Sequence, residues 1–365
     1  MLELLEHIDD IERLGLGYVY QCDIRRAPDI ITSIYELNVE LEEKEVSLHE
    51  ASLRFRILRQ HGYNVRFKDS QGGFIGCLKT DVKGLLSLYE ASHLAFMEER
   101  DLHEAKLFAR EHLLKLKGLQ NDPQVLEHIN QALEVPLCHR MPRLQARYYI
   151  DAYNKRQDAN LLLQELATLD FNMTQAAFKT ELKEVSKWWE NLGLAHKLGF
   201  VRDRLMECFF WTIGVVSEPQ YHSCHVKVKD VVESLEKYHD LMKWSSVVFR
   251  LYNDLATSSD EIERGKTVNA ISCYMHENGV CEEVARAYLT TLIDETWRNL
   301  IKVHVACSQE LRNQFINTAI NLARISCCTY QYGDGHGAPD ARAKNQVLSV
   351  IIEPITVREK EHKCA

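Results

Sequence analysis

Apolar residues recur at steps of three and four along most of the chain, the spacing of amphipathic helices. The pattern runs through Ile31-Thr32-Ser33-Ile34-Tyr35, from Val82 to Met97, and from Leu102 to Leu116. Asn121-Asp122-Pro123 and Glu134-Val135-Pro136 interrupt it, because proline discourages helix in the residue before it. Leu169-Asp170-Phe171-Asn172 leads into a further amphipathic stretch ending in Trp188-Trp189-Glu190-Asn191-Leu192-Gly193-Leu194, where the tryptophan pair is expected to pack in a core. Phe209-Phe210-Trp211 fits a buried helix ending near Glu218-Pro219. No proline occurs between Pro219 and Pro339. Trp244, Val247, Val248, Leu251 and Leu255 keep the helical step through that interval, so another helix is predicted there. The elements predict an all-α protein.

Composition narrows the class. With 365 residues there is room for two domains, and 45% hydrophobic with 27% charged residues describes a soluble folded chain. A net charge of -9 argues against a nucleic-acid partner. Eleven cysteines follow no paired framework, which fits reduced thiols inside a cell. His222-Ser223-Cys224-His225 lacks the paired spacing of a structural zinc site. Gly72-Gly73-Phe74-Ile75-Gly76 fits no phosphate-loop pattern and reads as a surface turn. Asp9-Asp10 reads as paired acids at a helix start, where the dipole favours carboxylates. No apolar run is long enough for a membrane span, and Met1-Leu2-Glu3-Leu4-Leu5-Glu6 opens as neither signal nor transit peptide.

Candidate chemistry gathers on the helix predicted around Leu251. Asn253, Thr257 and Glu261 fall four residues apart, and each step of four turns a helix by about 400°, only ~40° past one full turn. Their oxygens form one stripe. A solvated helix face shows the same spacing, but amide, hydroxyl and carboxylate oxygens also suit a hard cation such as Mg²⁺. Arg250 lies three residues before Asn253, on nearly the same face, where it could hold an anion. In Arg202-Asp203-Arg204 two guanidiniums in a loop can reach one anion, although such a triplet is also a common surface cluster. Tyr330-Gln331-Tyr332-Gly333-Asp334-Gly335-His336-Gly337 is punctuated by glycine and reads as a flexible loop.

The phrase from Asn253-Asp254-Leu255 through Thr257 to Glu261 resembles the second metal motif of class I terpene synthases. Lys237-Tyr238-His239-Asp240, Arg264-Gly265 and Ser272-Cys273-Tyr274-Met275 around it are similar to the plant branch. So are Leu53-Arg54-Phe55-Arg56-Ile57-Leu58-Arg59-Gln60-His61-Gly62-Tyr63 and Gly84-Leu85-Leu86-Ser87-Leu88-Tyr89-Glu90-Ala91-Ser92. The resemblance implies an N-terminal helical barrel over residues 1-160 and a metal-binding α-bundle over 161-365. It implies a monoterpene made from geranyl diphosphate by Mg²⁺-assisted loss of pyrophosphate, carbocation rearrangement and deprotonation, with Mn²⁺ as an alternative ion. Asn253, Thr257 and Glu261 would bind metal, and Arg202, Arg204 and Arg250 would hold the diphosphate. Given the acidic overall balance, that anion needs such a local basic cluster. Trp211 would face the cavity and stabilise a cation through its ring. Tyr330, Asp334 and His336 would line the site closed by their loop, with Tyr or His moving the final proton. Plastid is the family habit for monoterpene enzymes, with the cytoplasm as alternative.

Two departures stand against the family pattern. The paired arginines that open many plant monoterpene synthases would lie before Met1. The first metal motif, DDxxD, is missing. Glu218-Pro219-Gln220-Tyr221 runs through Val226-Lys227-Val228-Lys229-Asp230-Val231-Val232 into Leu235-Glu236-Lys237-Tyr238, which belongs much later in the bundle, so the C-terminal part is internally truncated near 227-234. The loss is expected to weaken charge neutralisation and to strip partners from apolar faces such as Trp211 and Leu251. The rival reading is a non-catalytic shortened isoform, a helical scaffold that binds at most a prenyl diphosphate or a protein.

Overall fold

The computed structural model describes residues 1–40 (35–40 as backbone only), 46–67, 81–191, 193, 204–216, 236–263, 265, 268–307 and 314–356 (314 as backbone only). Every regular element among them is helical. The first helices are α1 (Leu2–Arg13), α2 (Gln21–Glu40), α3 (Leu48–Gln60), α4 (Val82–Ser92), α5 (Arg100–Leu119), α6 (Pro123–Glu134) and α7 (Pro142–Tyr153). Then follow α8 (Leu161–Asn191), α9 (Leu205–Val216), α10 (His239–Glu263), α11 (Ala270–Asn278), α12 (Glu282–Ala306), α13 (Gln314–Tyr330) and α14 (Ala341–Ile351).

Local chemistry sets most of the boundaries. Asp122 accepts from the Gln124 amide at 2.8 Å and Pro123 takes the first turn, so the break read at Asn121-Asp122-Pro123 starts α6. Asn160 caps α8 through the amides of Leu162 and Leu163 at 3.0 and 3.1 Å. α4 is shorter than the pattern from Val82 to Met97: it stops at Ser92, whose hydroxyl turns back to the Tyr89 carbonyl at 2.6 Å.

Asp9 and Asp10 sit in the later part of α1, not at its start, where the helix dipole opposes a carboxylate. Both are buried, and partners replace the dipole. Arg56 lies 2.6 Å from Asp9; burial resists ionisation, yet Arg56 and Arg13 hold that carboxyl below its usual range. Asp10 takes the Tyr149 hydroxyl at 2.5 Å and Arg156 at 2.8 Å, and burial still raises its pKa. The pair thus ties α1 to α3 and to the end of α7.

In the second half, α10 packs against both α12 and α13, and α9 packs against α13 and meets α10 through Trp211 and Phe249. Leu251, expected to lose its partners, is 5% exposed and belongs to a core with Val248, Ile293, Trp297 and Ile316. Trp211 is half-buried. Trp188 departs in the other direction. It stands 60% exposed because the fully buried positions of α8 end at Phe178. The residues His222–His225, Gly72–Gly76 and the junction at 227–234 lie outside the described residues.

Helix α12 fastens the two halves. Ile301 and Val305 pack with Phe55, Leu94 and Leu102, and the His139 ring stacks on Trp297 at 3.8 Å and 14°. Arg324 on α13 donates to the Cys138 carbonyl at 3.0 Å. Burial holds His139 and His93 far below the ordinary imidazole range, so both are neutral in the fold. The unfolded chain, with histidines near 6.5, takes up protons that the folded chain refuses. Stability therefore falls as pH drops below about 6.5. His61 works the other way: despite burial, Glu12 at 2.7 Å raises its pKa. His139→Phe keeps a ring on Trp297 and removes one titrating group. Urea midpoints measured from about pH 7 to pH 5 should fall less steeply in that variant than in the parent chain.

Candidate functional site

Asn253, Thr257 and Glu261 all lie on α10, which runs unbroken to Glu263, so the three share a stripe. Thr257 is buried and donates its hydroxyl proton to the Asn253 carbonyl at 2.9 Å. That leaves its oxygen lone pairs for a cation. Glu261 is half-buried one turn further on. No group of three His, Cys, Asp or Glu side chains converges as a metal cluster among the described residues. A cation on the stripe would therefore rest on one carboxylate, one amide and one hydroxyl. That donor set fits Mg²⁺, which keeps waters and shares itself with phosphate oxygens.

Asp254, between these residues, carried no role in the sequence reading. It is 1% exposed, and its Oδ2 accepts from the Ala270 amide at 2.8 Å, which fastens α10 to the start of α11. Arg250 lies 3.0 Å from Oδ1, a charge contact without hydrogen-bond alignment. Burial raises the Asp254 pKa, with the Ala270 amide and Arg250 pulling the other way. The Arg250 side chain remains 58% exposed, so its other donors still face solvent.

Aromatic rings stand beside the stripe. The Trp211 ring centroid lies 5.4 Å from Phe249, 6.3 Å from Tyr330 and 6.2 Å from His336, each edge-on. Burial raises the Tyr330 pKa, and a side-chain hydrogen bond with Asn253 opposes the rise. The Tyr330 and Phe249 rings also meet, 6.3 Å apart at 38°, one helical turn before Asn253. Phe249 is the residue that sequence reasoning missed. It sits four positions before Asn253, and the same four-step count extended backwards would have reached it.

Of the anion candidates, Arg204 is half-buried just before α9; Arg202 lies outside the described residues. One turn on from Arg204, Cys208 has its sulfur 4.0 Å from His336 Nε2. Burial raises that thiol's pKa, and Arg204 pulls it partly back. Arg204, Cys208, His336, Trp211, Tyr330 and Phe249 are thus linked by successive contacts. Asp334 is used differently from its companions. Its Oδ1 accepts from the His336 and Gly337 amides at 3.2 and 2.6 Å, so it shapes the loop that presents His336. Such an arrangement offers π faces and one imidazole to a cation, and oxygen and guanidinium groups to an anion.

Residues 1–133 match the family model described as terpene synthase, N-terminal domain. Residues 190–228 match the terpene synthase family metal binding domain, and 215–299 match terpene synthase family 2, C-terminal metal binding. An (E)-beta-ocimene synthase of Matricaria chamomilla var. recutita is 41% identical over 98% of this chain and 83% of its own length. An isoprene synthase of Populus tremuloides is 35% identical over 98% and 82%. The crystal structure of grey poplar isoprene synthase superposes with a TM-score of 0.87 at 35% identity, over 98% of this chain and 92% of that one. A limonene synthase crystallised with 2-fluorolinalyl diphosphate gives 0.85 at 28% identity, over 96% and 90%. Fold and matched models define the all-α class of synthase that acts on prenyl diphosphates. The chain belongs to the terpene synthase family, and these relatives are plant monoterpene and isoprene synthases. The alignment to the ocimene synthase runs over 501 positions against 365 residues here, so at least 136 positions (501 less 365) face a gap in this chain.

The loop geometry depends on Gly335. A Cβ there would lie 2.1 Å from the Thr329 carbonyl oxygen, a backbone atom that cannot swing aside. Gly335→Ala should displace the loop from the end of α13 and cost about 1–3 kcal/mol. Moving His336 off Trp211 should shift tryptophan emission to longer wavelength. An unchanged spectrum and unfolding midpoint would show that the loop does not shield that ring.

Proposed function

We propose that this chain binds a prenyl diphosphate, geranyl diphosphate foremost, through Asn253, Thr257 and Glu261 with Mg²⁺ and through Arg202, Arg204 and Arg250. The observation that carries the reading is the edge-on contact of the Trp211 ring with Phe249 at 5.4 Å, one helical turn before Asn253, with the Tyr330 and His336 rings beside the same tryptophan. A crystal structure of grey poplar isoprene synthase holds three Mg²⁺ ions and dimethylallyl-S-thiolodiphosphate, which supports the choice of ion and of ligand class. When bound, the ion neutralises charge on the departing diphosphate. Arg204 and Arg250 provide further positive charge toward it. Trp211 and Phe249 turn ring surfaces to the allylic cation and keep water from it. The His336 ring nitrogen or the Tyr330 oxygen accepts the proton that ends the reaction as a monoterpene.

Ionisation by this chain is slow. Its single Asp-Asp pair, Asp9-Asp10, is followed by Ile11-Glu12-Arg13 and braces the first helices, so no DDxxD wall faces the stripe. Losing even one charge-stabilising donor lowers turnover by ~10²–10³. The gap of at least 136 positions also favours a second reading, a scaffold that holds prenyl diphosphate or a protein without turning anything over. On either reading the relatives named chloroplastic support a plastid setting.

Calorimetry with Mg²⁺ and geranyl thiolodiphosphate should register binding that Asn253→Ala removes. Incubation with geranyl or dimethylallyl diphosphate and Mg²⁺, followed by gas chromatography, separates the two readings. Trace hydrocarbon supports the slow enzyme, and binding with no product supports the scaffold. Absence of binding heat sinks both, and turnover matching that of full-length relatives would show that one wall suffices.

A further inference from the structure

Arg286, on α12, reaches across to α10 and grips it between the second and third oxygens of the stripe. Its Nη1 donates to the Leu255 carbonyl at 2.8 Å, and its Nη2 donates to the Ser258 and Ser259 hydroxyls, both at 2.8 Å. Its Nε is held by Glu282, one turn back on α12, at 2.7 Å. These contacts fall within two residues of Thr257 yet touch none of the proposed ligands. Ser258 is fully buried, so its hydroxyl needs a partner from within the protein. From the other end, buried Asp254 holds α10 to the Ala270 amide. The stretch from Asp254 to Ser259 is therefore braced by two neighbouring helices.

A helix packed only through apolar contacts can roll or slide by a fraction of a turn at small cost. A planar guanidinium that spans one carbonyl and two hydroxyls permits neither, because its donors lie in a fixed fork. Metal donors tolerate displacement of only about 0.5 Å and 10–20°. We propose that Arg286 is a positioning residue for the oxygen stripe, setting the rotation of α10 so that Thr257 and Glu261 present their oxygens to one cation. This rests on the reading of the stripe as a metal site. The structural alternative, a guanidinium that merely ties α12 to α10, predicts lost stability with unchanged affinity for the ion.

Mn²⁺ with inorganic pyrophosphate serves as the probe, titrated into the full chain and followed by electron paramagnetic resonance beside thermal unfolding. Partners that orient metal ligands typically carry 10–100-fold in affinity. Arg286→Met should weaken Mn²⁺ binding by roughly tenfold while helical content stays unchanged. Arg286→Lys should recover only part, since one ammonium cannot span all three acceptors. The double change Ser258→Ala with Ser259→Ala, which keeps the arginine and removes two of its acceptors, should weaken binding by a few-fold and decides the matter if Arg286→Met does not fold. Parent-like affinity in a folded Arg286→Met, or in the serine double variant, overturns the positioning role and leaves the metal site standing. Equal binding by the parent chain and Asn253→Ala overturns the metal site, and the positioning role with it.

Discussion

The burial of one face of α10 decides what its other side can do. Leu241, Ser245, Val248, Leu251 and Ser258 are buried, and both leucines and the valine pack into the core shared with α12 and α13. At about 100° per residue, Phe249, Asn253, Thr257 and Glu261 lie roughly 160° to 280° around the helix from Leu251. With the apolar face pinned, that stripe has one direction left, and Trp211 and Tyr330 occupy it. Arg286 and Asp254 then hold with polar bonds what packing has set only approximately. The partners of α10 are in turn anchored, because α12 stacks Trp297 on His139 and α13 binds the Cys138 carbonyl through Arg324. The N-terminal helices thus contribute to the site by fixing the helices that frame it.

The sequence made α10 and its stripe legible because a four-residue period is a property of one helix and needs no knowledge of its neighbours. Phe249 was within reach of the same count. Asp254 was not, because its role comes from an amide sixteen residues away, and nothing local shows where Ala270 will be. Arg286 is hidden for the same reason. Asp9 and Asp10 misled because a helix start and a helix end look alike in a short run of acids. Their partners Arg56, Tyr149 and Arg156 come from distant turns. Trp188 misled in the opposite way: its type predicts burial, but burial needs a neighbour, and the fully buried positions of α8 stop at Phe178.

The closing of the second half around Leu251 shows why internal loss need not unfold a helical bundle. Apolar faces are not specific to one partner, and helices can repack at crossing angles drawn from a small set. With α13 against both α9 and α10, Leu251 is covered and Trp211 meets Phe249. Polar geometry is less forgiving. A stripe of oxygens facing an acidic motif is a relation between two specific helices, and no generic packing replaces it.

That asymmetry separates binding from chemistry. Holding a prenyl diphosphate needs enough positive charge near its ground state, and on the proposed reading a cation on the stripe with Arg204 and Arg250 would supply some from one side. Ionising it needs stabilisation that grows as negative charge accumulates on the leaving group, and only interactions stronger in the transition state than in the ground state raise the rate. A clamp closed from two sides delivers that growth, because preorganised donors on both walls face the charge as it develops. From one side, the departing group can be held but not drawn further. On the proposed reading the Trp211 and Phe249 rings would meet a cation that one wall alone forms rarely, and affinity would outlast turnover.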